Sequence, residues 1–196
     1  MSPSSFDERV DAALAPLRGR PGIDRAASVV SNLADYGFVW VVLAGLKGRR
    51  SGPTRRRAVV ALGAAGISSL LVSRAAKAAV ERQRPEEQLE ALVRTPSSSS
   101  FPSGHTLAAF CTAFVLPETS TGTVACVSFA TAVAASRVHL RAHHATDVLG
   151  GAAIGSVLGL GLRPVVNLVT PGRNRARRSR QARRSGRGMG SQEFRL

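Results

Sequence analysis

The sequence predicts an all-α protein, a polytopic membrane helical bundle of about five transmembrane helices. Three observations carry that prediction. Charge-free windows approach spanning length: Ala58 to Ser73 is 16 residues, Thr119 to Ser136 is 18 and Val148 to Leu162 is 15, against the roughly 17–25 residues that cross a bilayer. The charge is segregated: 27 Lys and Arg oppose 12 Asp and Glu for a net +15, with six basic residues from Lys47 to Arg57 and nine from Arg173 to Arg195. A mean hydropathy of only +0.04 averages apolar windows with polar ends and does not describe a uniformly soluble chain. At 196 residues there is room for one domain, two at most, which excludes a large multidomain enzyme.

Taken in order, residues 1–25 carry four acids, four bases and three prolines. They are expected to form a polar, peripheral lead-in with a short surface helix near Val10 to Leu17. No basic patch followed by an apolar core and cleavage site opens the chain, so no cleaved signal is expected. Ala26 to Leu46, interrupted by Asp35, is the first candidate span, and Ala58 to Ser73 the second. Phe101 to Pro117 is short and contains Ser103, Gly104 and His105, so a buried core helix competes with a span there. Thr119 to Ser136 and Val148 to Leu162 complete the five. Within the last, Gly151, Gly155 and Gly159 recur every four residues and would let another helix approach closely. Cys111 and Cys126 lie in apolar stretches and are expected to act as small hydrophobes. The division is a polar segment over 1–25, a membrane domain over 26–172 and a basic, disordered tail over 173–196.

Orientation follows from the positive-inside tendency of short basic loops. With Lys47 to Arg57 cytoplasmic, alternation places the polar stretches Val80 to Pro102 and Arg137 to Asp147 together on the outer face, and the Arg-rich tail inside. Arg74, Arg82, Arg94 and Arg163 are expected to be snorkelling or topology charges.

Chemistry concentrates in the two outer stretches. Lys77, Arg84 and Arg137 supply three cations matched to phosphate oxygens, Arg in a planar fork. Ser103 and Gly104 precede an apolar helix, which places a hydroxyl and backbone N–H groups at a positive helix end suited to an anion. His143 and Asp147 are four apart and share a helical face, so Asp147 can accept the Nδ1 proton and leave Nε2 free for in-line attack on phosphorus.

These residues form three clusters: Lys77, six residues, then Arg84 and Pro85; Pro102, Ser103, Gly104 and His105; and Ser136, Arg137, five residues, His143, three residues, Asp147. Together they resemble the tripartite signature of the type 2 phosphatidic acid phosphatase and vanadium haloperoxidase superfamily, with all eleven signature identities present in order. The resemblance implies a membrane-embedded lipid phosphate phosphatase. It implies His143 as nucleophile forming a phosphohistidine, oriented by Asp147, and His105 as acid for the leaving alkoxide and then base for water. Lys77, Arg84, Ser103, Gly104 and Arg137 would bind phosphate, with no metal and no cofactor.

Two departures stand out: the family favours a small residue and an aromatic around the nucleophilic His, whereas this chain has Arg141, Ala142, His143 and His144, and His139 adds polarity. They bear on substrate preference. The implied partners are a lipid phosphate substrate and membrane lipids, with no nucleic acid; the sequence leaves the oligomeric state and the choice among phosphatidate-like and prenyl phosphates or pyrophosphates open. The competing readings are a vanadate-dependent haloperoxidase, whose members are longer and soluble, and a nonenzymatic basic membrane anchor, which leaves the three clusters unexplained.

Overall fold

The computed structural model describes residues 4–34, 52–85 and 98–171, with positions 42 and 45. The later part of the first expected span, most of the Lys47 to Arg57 cluster's loop, residues 86–97 and the basic tail lie outside the described residues. Helices are α1 (Ser5–Leu14), α2 (Pro21–Ala34), α3 (Gly52–Ala79), α4 (Gly104–Val115), α5 (Ser120–His139) and α6 (Ala145–Val169), with a 3-10 turn over Ala15–Leu17. Strands are absent among the described residues. Among the described residues three helices are long and apolar enough to cross a membrane: Thr54–Ala79 within α3, Ser120–His139 and Ala145–Val169. Their outward residues include Ile67, Leu71, Val124, Val157 and Leu168, all exposed, the surface expected where lipid is the solvent. The Phe101 to Pro117 window is a core helix, α4, at 12 residues; the first enters as α2.

α4 sits at the centre, packed by α3, α5 and α6. The glycine stripe of α6 makes its closest approach possible. A Cβ at Gly151 would stand 2.7 Å from the Ser103 carbonyl oxygen, and at Gly155 and Gly159 it would collide with the carbonyls of Leu107 and Cys111. Only hydrogen fits there, so the two backbones touch directly and the N-termini of α4 and α6 are brought side by side. Ser103 N–H donates to the Asp147 carbonyl at 3.0 Å across that junction.

The opposite end of α4 is closed by Arg57, which sequence reasoning had grouped with the cytoplasmic charges. It is buried and donates to the carbonyls of Leu116 at 2.7 Å and Val115 at 3.1 Å, and to Asn167 Oδ1 at 3.1 Å. A cation on carbonyls left over at a helix C-terminus satisfies both hydrogen bonding and the helix dipole.

The N-terminal segment stays at the surface, with most of α1 exposed, yet it is docked on the bundle through particular side chains. α1 starts in a capping box between Ser4 and Asp7 and lies on the start of α6, while α2 runs along α5. Its acids are committed to particular partners: Asp7 to Arg82 and Thr146, Asp11 to Arg18 and Arg141, Asp24 to His139. Hydropathy alone could not separate such a docked polar helix from a solvated one.

Replacing Gly155 by Ala forces α6 off α4. About 1–3 kcal/mol of stability should be lost, read as a lowered unfolding temperature in detergent. Gly161→Ala, on the same helix with nothing within 4 Å of a new Cβ, should be neutral or slightly stabilising.

Candidate active site

Every expected site residue lies at the end of the bundle where α3 finishes and α4 and α6 begin. Lys77 is in the last turn of α3, Ser103 is the N-cap of α4, Gly104 and His105 open α4, Arg137 is in the last turn of α5 and Asp147 in the first turn of α6. A cleft of about 1500 Å³ opens there, lined by Lys77, Arg84 and His143 together with Ser73, Arg74 and residues of α1. Two of the expected cations border the opening, and Arg137 is fully buried behind it.

The backbone carries His143 into this cleft through a tight connection. The Arg137 carbonyl accepts from the N–H groups of Ala142 at 3.0 Å and His143 at 3.3 Å, which folds the α5–α6 loop over the end of α5. Arg141 takes φ 55°, the left-handed region that costs a side-chain-bearing residue and favours glycine. Its guanidinium is braced by Asp11, at 2.6 Å. The departures at 139 and 141 are thus explained by the N-terminal helices: His139 pairs with Asp24 at 2.7 Å, and Arg141 with Asp11. The Asp11 carboxyl lies below its ordinary range, because the Arg141 and Arg18 cations outweigh the effect of its burial.

His143 is 3% exposed. Its Nδ1 stands 2.8 Å from the Ser100 carbonyl oxygen and 3.8 Å from Asp147 Oδ2. The expectation that Asp147 takes the Nδ1 proton is therefore corrected: the acceptor within hydrogen-bond reach is Ser100, because the oxygens of Asp147 are already engaged. Oδ2 accepts from the Ser100 hydroxyl at 2.8 Å and the His144 N–H at 2.9 Å, and Oδ1 from Arg82 at 2.6 Å. Either acceptor selects the same tautomer, since a carbonyl can only receive a proton. Nε2 is left as a lone pair, 3.4 Å from Arg84 Nη1. Burial pushes the ring's pKa down to about 4; Asp147 opposes the shift, and the Arg84 and Arg137 charges add to it.

The cations divide sharply. Arg84 donates to the carbonyls of Ala142 at 2.7 Å and Ser98 at 3.3 Å, pinning two loops; Lys77 reaches the Ser98 hydroxyl at 3.3 Å. Among the described residues no carboxylate pairs with either, so their charge is available to an anion. Burial lowers the Arg84 pKa, with Asp147 opposing, yet a guanidinium stays charged throughout the working range. Arg82, two residues away, is instead buried between Asp7 and Asp147 at 2.6 Å each. Its expected role as a topology charge is corrected. Arg137 donates to the Ser31 hydroxyl of α2.

Ser103 is fully buried, and its hydroxyl accepts from Thr106 at 3.0 Å; a Cβ at Gly104 would meet the Ser73 hydroxyl at 3.2 Å. His105 is partly exposed on the first turn of α4. Sequence reasoning missed Ser100, Arg82, Thr146 and Asp7. Ser100 was visible only as part of a serine run, and the other three depend on contacts between distant segments.

Residues 58–170, more than half of the chain, match the PAP2 superfamily. The decaprenylphosphoryl-5-phosphoribose phosphatase of Mycolicibacterium smegmatis is 34% identical over 151 residues, 76% of this chain and 83% of that protein. The protein of the same name from Mycobacterium tuberculosis H37Rv is 33% identical over 168 residues, 85% of this chain and 92% of that protein. Among solved structures, a transmembrane PAP2-type phosphatidylglycerolphosphate phosphatase of Bacillus subtilis superposes with a TM-score of 0.68 at 27% identity, covering 86% of this chain and 88% of that one. Aquifex aeolicus LpxE agrees in fold, with a TM-score of 0.65 at 23% identity over 80% and 94% of the two chains. A profile match over most of the bundle, relatives one-third identical along nearly their whole length, and the same helical architecture place the chain in one family: it belongs to the PAP2 superfamily.

Proposed function

We propose that this membrane phosphatase removes the terminal phosphomonoester from a polyprenyl-phosphosugar or similar lipid phosphate, through a phosphohistidine on His143. The observation that carries the reading is the buried, neutral His143, whose Nδ1–H is spent on the Ser100 carbonyl and whose Nε2 faces a cleft bordered by unpaired Lys77 and Arg84. Relatives named for a prenyl-linked phosphoribose substrate support the lipid class.

In the reaction, Nε2 attacks phosphorus in line as the bond to the leaving oxygen breaks. Lys77 and Arg84 stabilise the equatorial oxygens as charge gathers there, with the buried Arg137 charge behind them and the Gly104 N–H at the positive end of α4. His105 donates a proton to the leaving alkoxide. It then takes one from the water that attacks the phosphohistidine, which releases phosphate and restores His143. Three cations supply the charge stabilisation that a metal gives in other phosphoryl-transfer sites.

The chain is read as multi-pass with this cleft on the extracytoplasmic face. Arg55 and Arg56 begin α3 at the end remote from Lys77, which favours that end inside. A cysteine at Ser98 should then react with an impermeant thiol reagent in intact cells and one at Ser51 should not; the opposite labelling reverses the orientation.

Because the native ring holds its proton only near pH 4 while an unfolded His titrates near 6.5, the unfolded chain binds the extra proton first as pH falls. Stability from this site is complete above about 6.5 and declines toward 4. Nitrogen NMR of the ring in detergent should show His143 neutral, with the proton on Nδ1, down to about pH 4; an imidazolium at pH 6 contradicts the assignment.

His143→Ala should abolish phosphoenzyme formation, whereas His144→Ala should retain activity within about tenfold. His105→Ala should lower turnover by roughly 10²–10⁴, the usual contribution of a general acid, yet still label with a substrate whose leaving group needs no proton. Phosphohistidine that persists in His143→Ala and vanishes in His144→Ala would move the nucleophile by one residue.

A further inference from the structure

One buried charge network outside the groups used above meets the site directly. Arg82 Nη1 donates to Asp147 Oδ1 and to the Thr146 hydroxyl, each at 2.6 Å, and Nη2 donates to Asp7 Oδ2 at 2.6 Å. Asp7 Oδ1 accepts the Thr146 N–H at 2.8 Å, and the Thr146 hydroxyl lies 2.9 and 3.0 Å from the two Asp7 oxygens. The side chains of Asp7, Arg82 and Asp147 are 2%, 7% and 0% exposed. A guanidinium thus joins a carboxylate 140 residues earlier in sequence to the one beside His143.

We infer that Asp7 and Arg82 are positioning residues of the reaction, and that α1 is through them part of the catalytic unit. The inference rests on the assignment of His143 and Asp147 made above. A carboxylate with one oxygen on Arg82 and the other on Ser100 and His144 cannot rotate. That fixed carboxylate holds the Ser100 hydroxyl, and the backbone of the same serine supplies the carbonyl that receives the His143 Nδ1 proton. The sequence of contacts is Asp7, Arg82, Asp147, Ser100, His143, with each link at hydrogen-bond distance.

Asp7 is needed because Arg82 carries donors on two sides. With Asp7 present the guanidinium is held between two carboxylates. Without it, a buried cation retains one carboxylate and is free to turn toward it, drawing Asp147 from Ser100. The Asp7 carboxyl stays ionised well below the ordinary range: burial favours its neutral form, but hydrogen bonds from Ser4, Thr146 and Arg82 outweigh that. The link therefore persists across the pH range in which the enzyme works.

Asp7→Asn preserves shape and removes the charge. In detergent-purified protein it should lower kcat by about 10- to 100-fold while changing competitive inhibition by inorganic phosphate less than threefold, because Lys77 and Arg84 still bind the anion. Asp7→Glu should recover part of the loss. A kcat within twofold of wild type, or equal losses in kcat and phosphate affinity, would overturn the inference. Should Asp7→Asn fail to insert, Thr146→Val removes the hydroxyl both groups share and leaves both charges. It should give the same split at three- to tenfold, and its absence would equally overturn the inference. His143→Ala measured alongside separates the two readings: activity there refutes the proposed mechanism, whereas a dead His143→Ala beside a fully active Asp7→Asn refutes only the role of Asp7.

Discussion

Direct backbone contact between α4 and α6 is the constraint on which the rest of the molecule depends. In a lipid environment apolar side chains gain little from leaving the solvent, so helix association must come from close packing and hydrogen bonds. Gly151, Gly155 and Gly159 supply the closeness. The Ser103 to Asp147 hydrogen bond sets the register in which they meet. That register puts two helix N-termini at one end of the bundle, and with them the partial positive charge that favours an anion. Arg57 closes the other end of α4 on its leftover carbonyls. The central helix is therefore satisfied at its base by a protein cation, and in the proposed reaction its positive end faces the substrate anion.

Charge is then sorted by what faces it. Arg82 and Arg84 occupy one short Arg-Gln-Arg-Pro stretch and have the same chemistry. One is turned inward between two carboxylates and neutralised; the other meets backbone carbonyls, which orient a guanidinium without cancelling its charge. The proposed phosphate site uses both kinds. Breaking either partner away from a buried pair is strongly destabilising, typically about 3–5 kcal/mol, although the intact pair adds little net stability. Arg82 thus contributes geometry more than stability, and Arg84 contributes charge.

Much of this was legible in the sequence, for reasons that differ by feature. The apolar windows mark α3, α5 and α6 because spanning length is dictated by the bilayer and not by tertiary context. The signature clusters mark Lys77, Arg84, Ser103, Gly104, His105, Arg137, His143 and Asp147 as one group, and the fold brings them to one end. The docking of α1 could not be seen, because a polar amphipathic helix has the same composition whether it faces water or a buried arginine. The peculiarities at His139 and Arg141 drew attention as possible influences on substrate, yet each is answered by an acid of the N-terminal helices, Asp24 and Asp11. Spacing suggested an Asp147 to His143 hydrogen bond but could not reveal that a serine carbonyl stands between them.

That last difference has a consequence for catalysis. A carboxylate bonded directly to the imidazole would favour the imidazolium and raise the pKa of the group that must attack as a free base. Here the Nδ1 proton goes to a neutral carbonyl, and the carboxylate waits at 3.8 Å. Before attack the ring is neutral and gains little from Asp147. When Nε2 bonds to phosphorus in the proposed reaction, the ring acquires positive charge, and the same carboxylate attracts it; two unit charges about 4 Å apart interact by roughly 4 kcal/mol at an effective dielectric of 20. The attraction appears only as the reaction proceeds, which is the condition under which an interaction accelerates a chemical step and does not merely tighten binding. In the proposed reaction, holding Asp147 near that distance is then as much a part of the site as the nucleophile itself, and the donors on both of its oxygens do the holding.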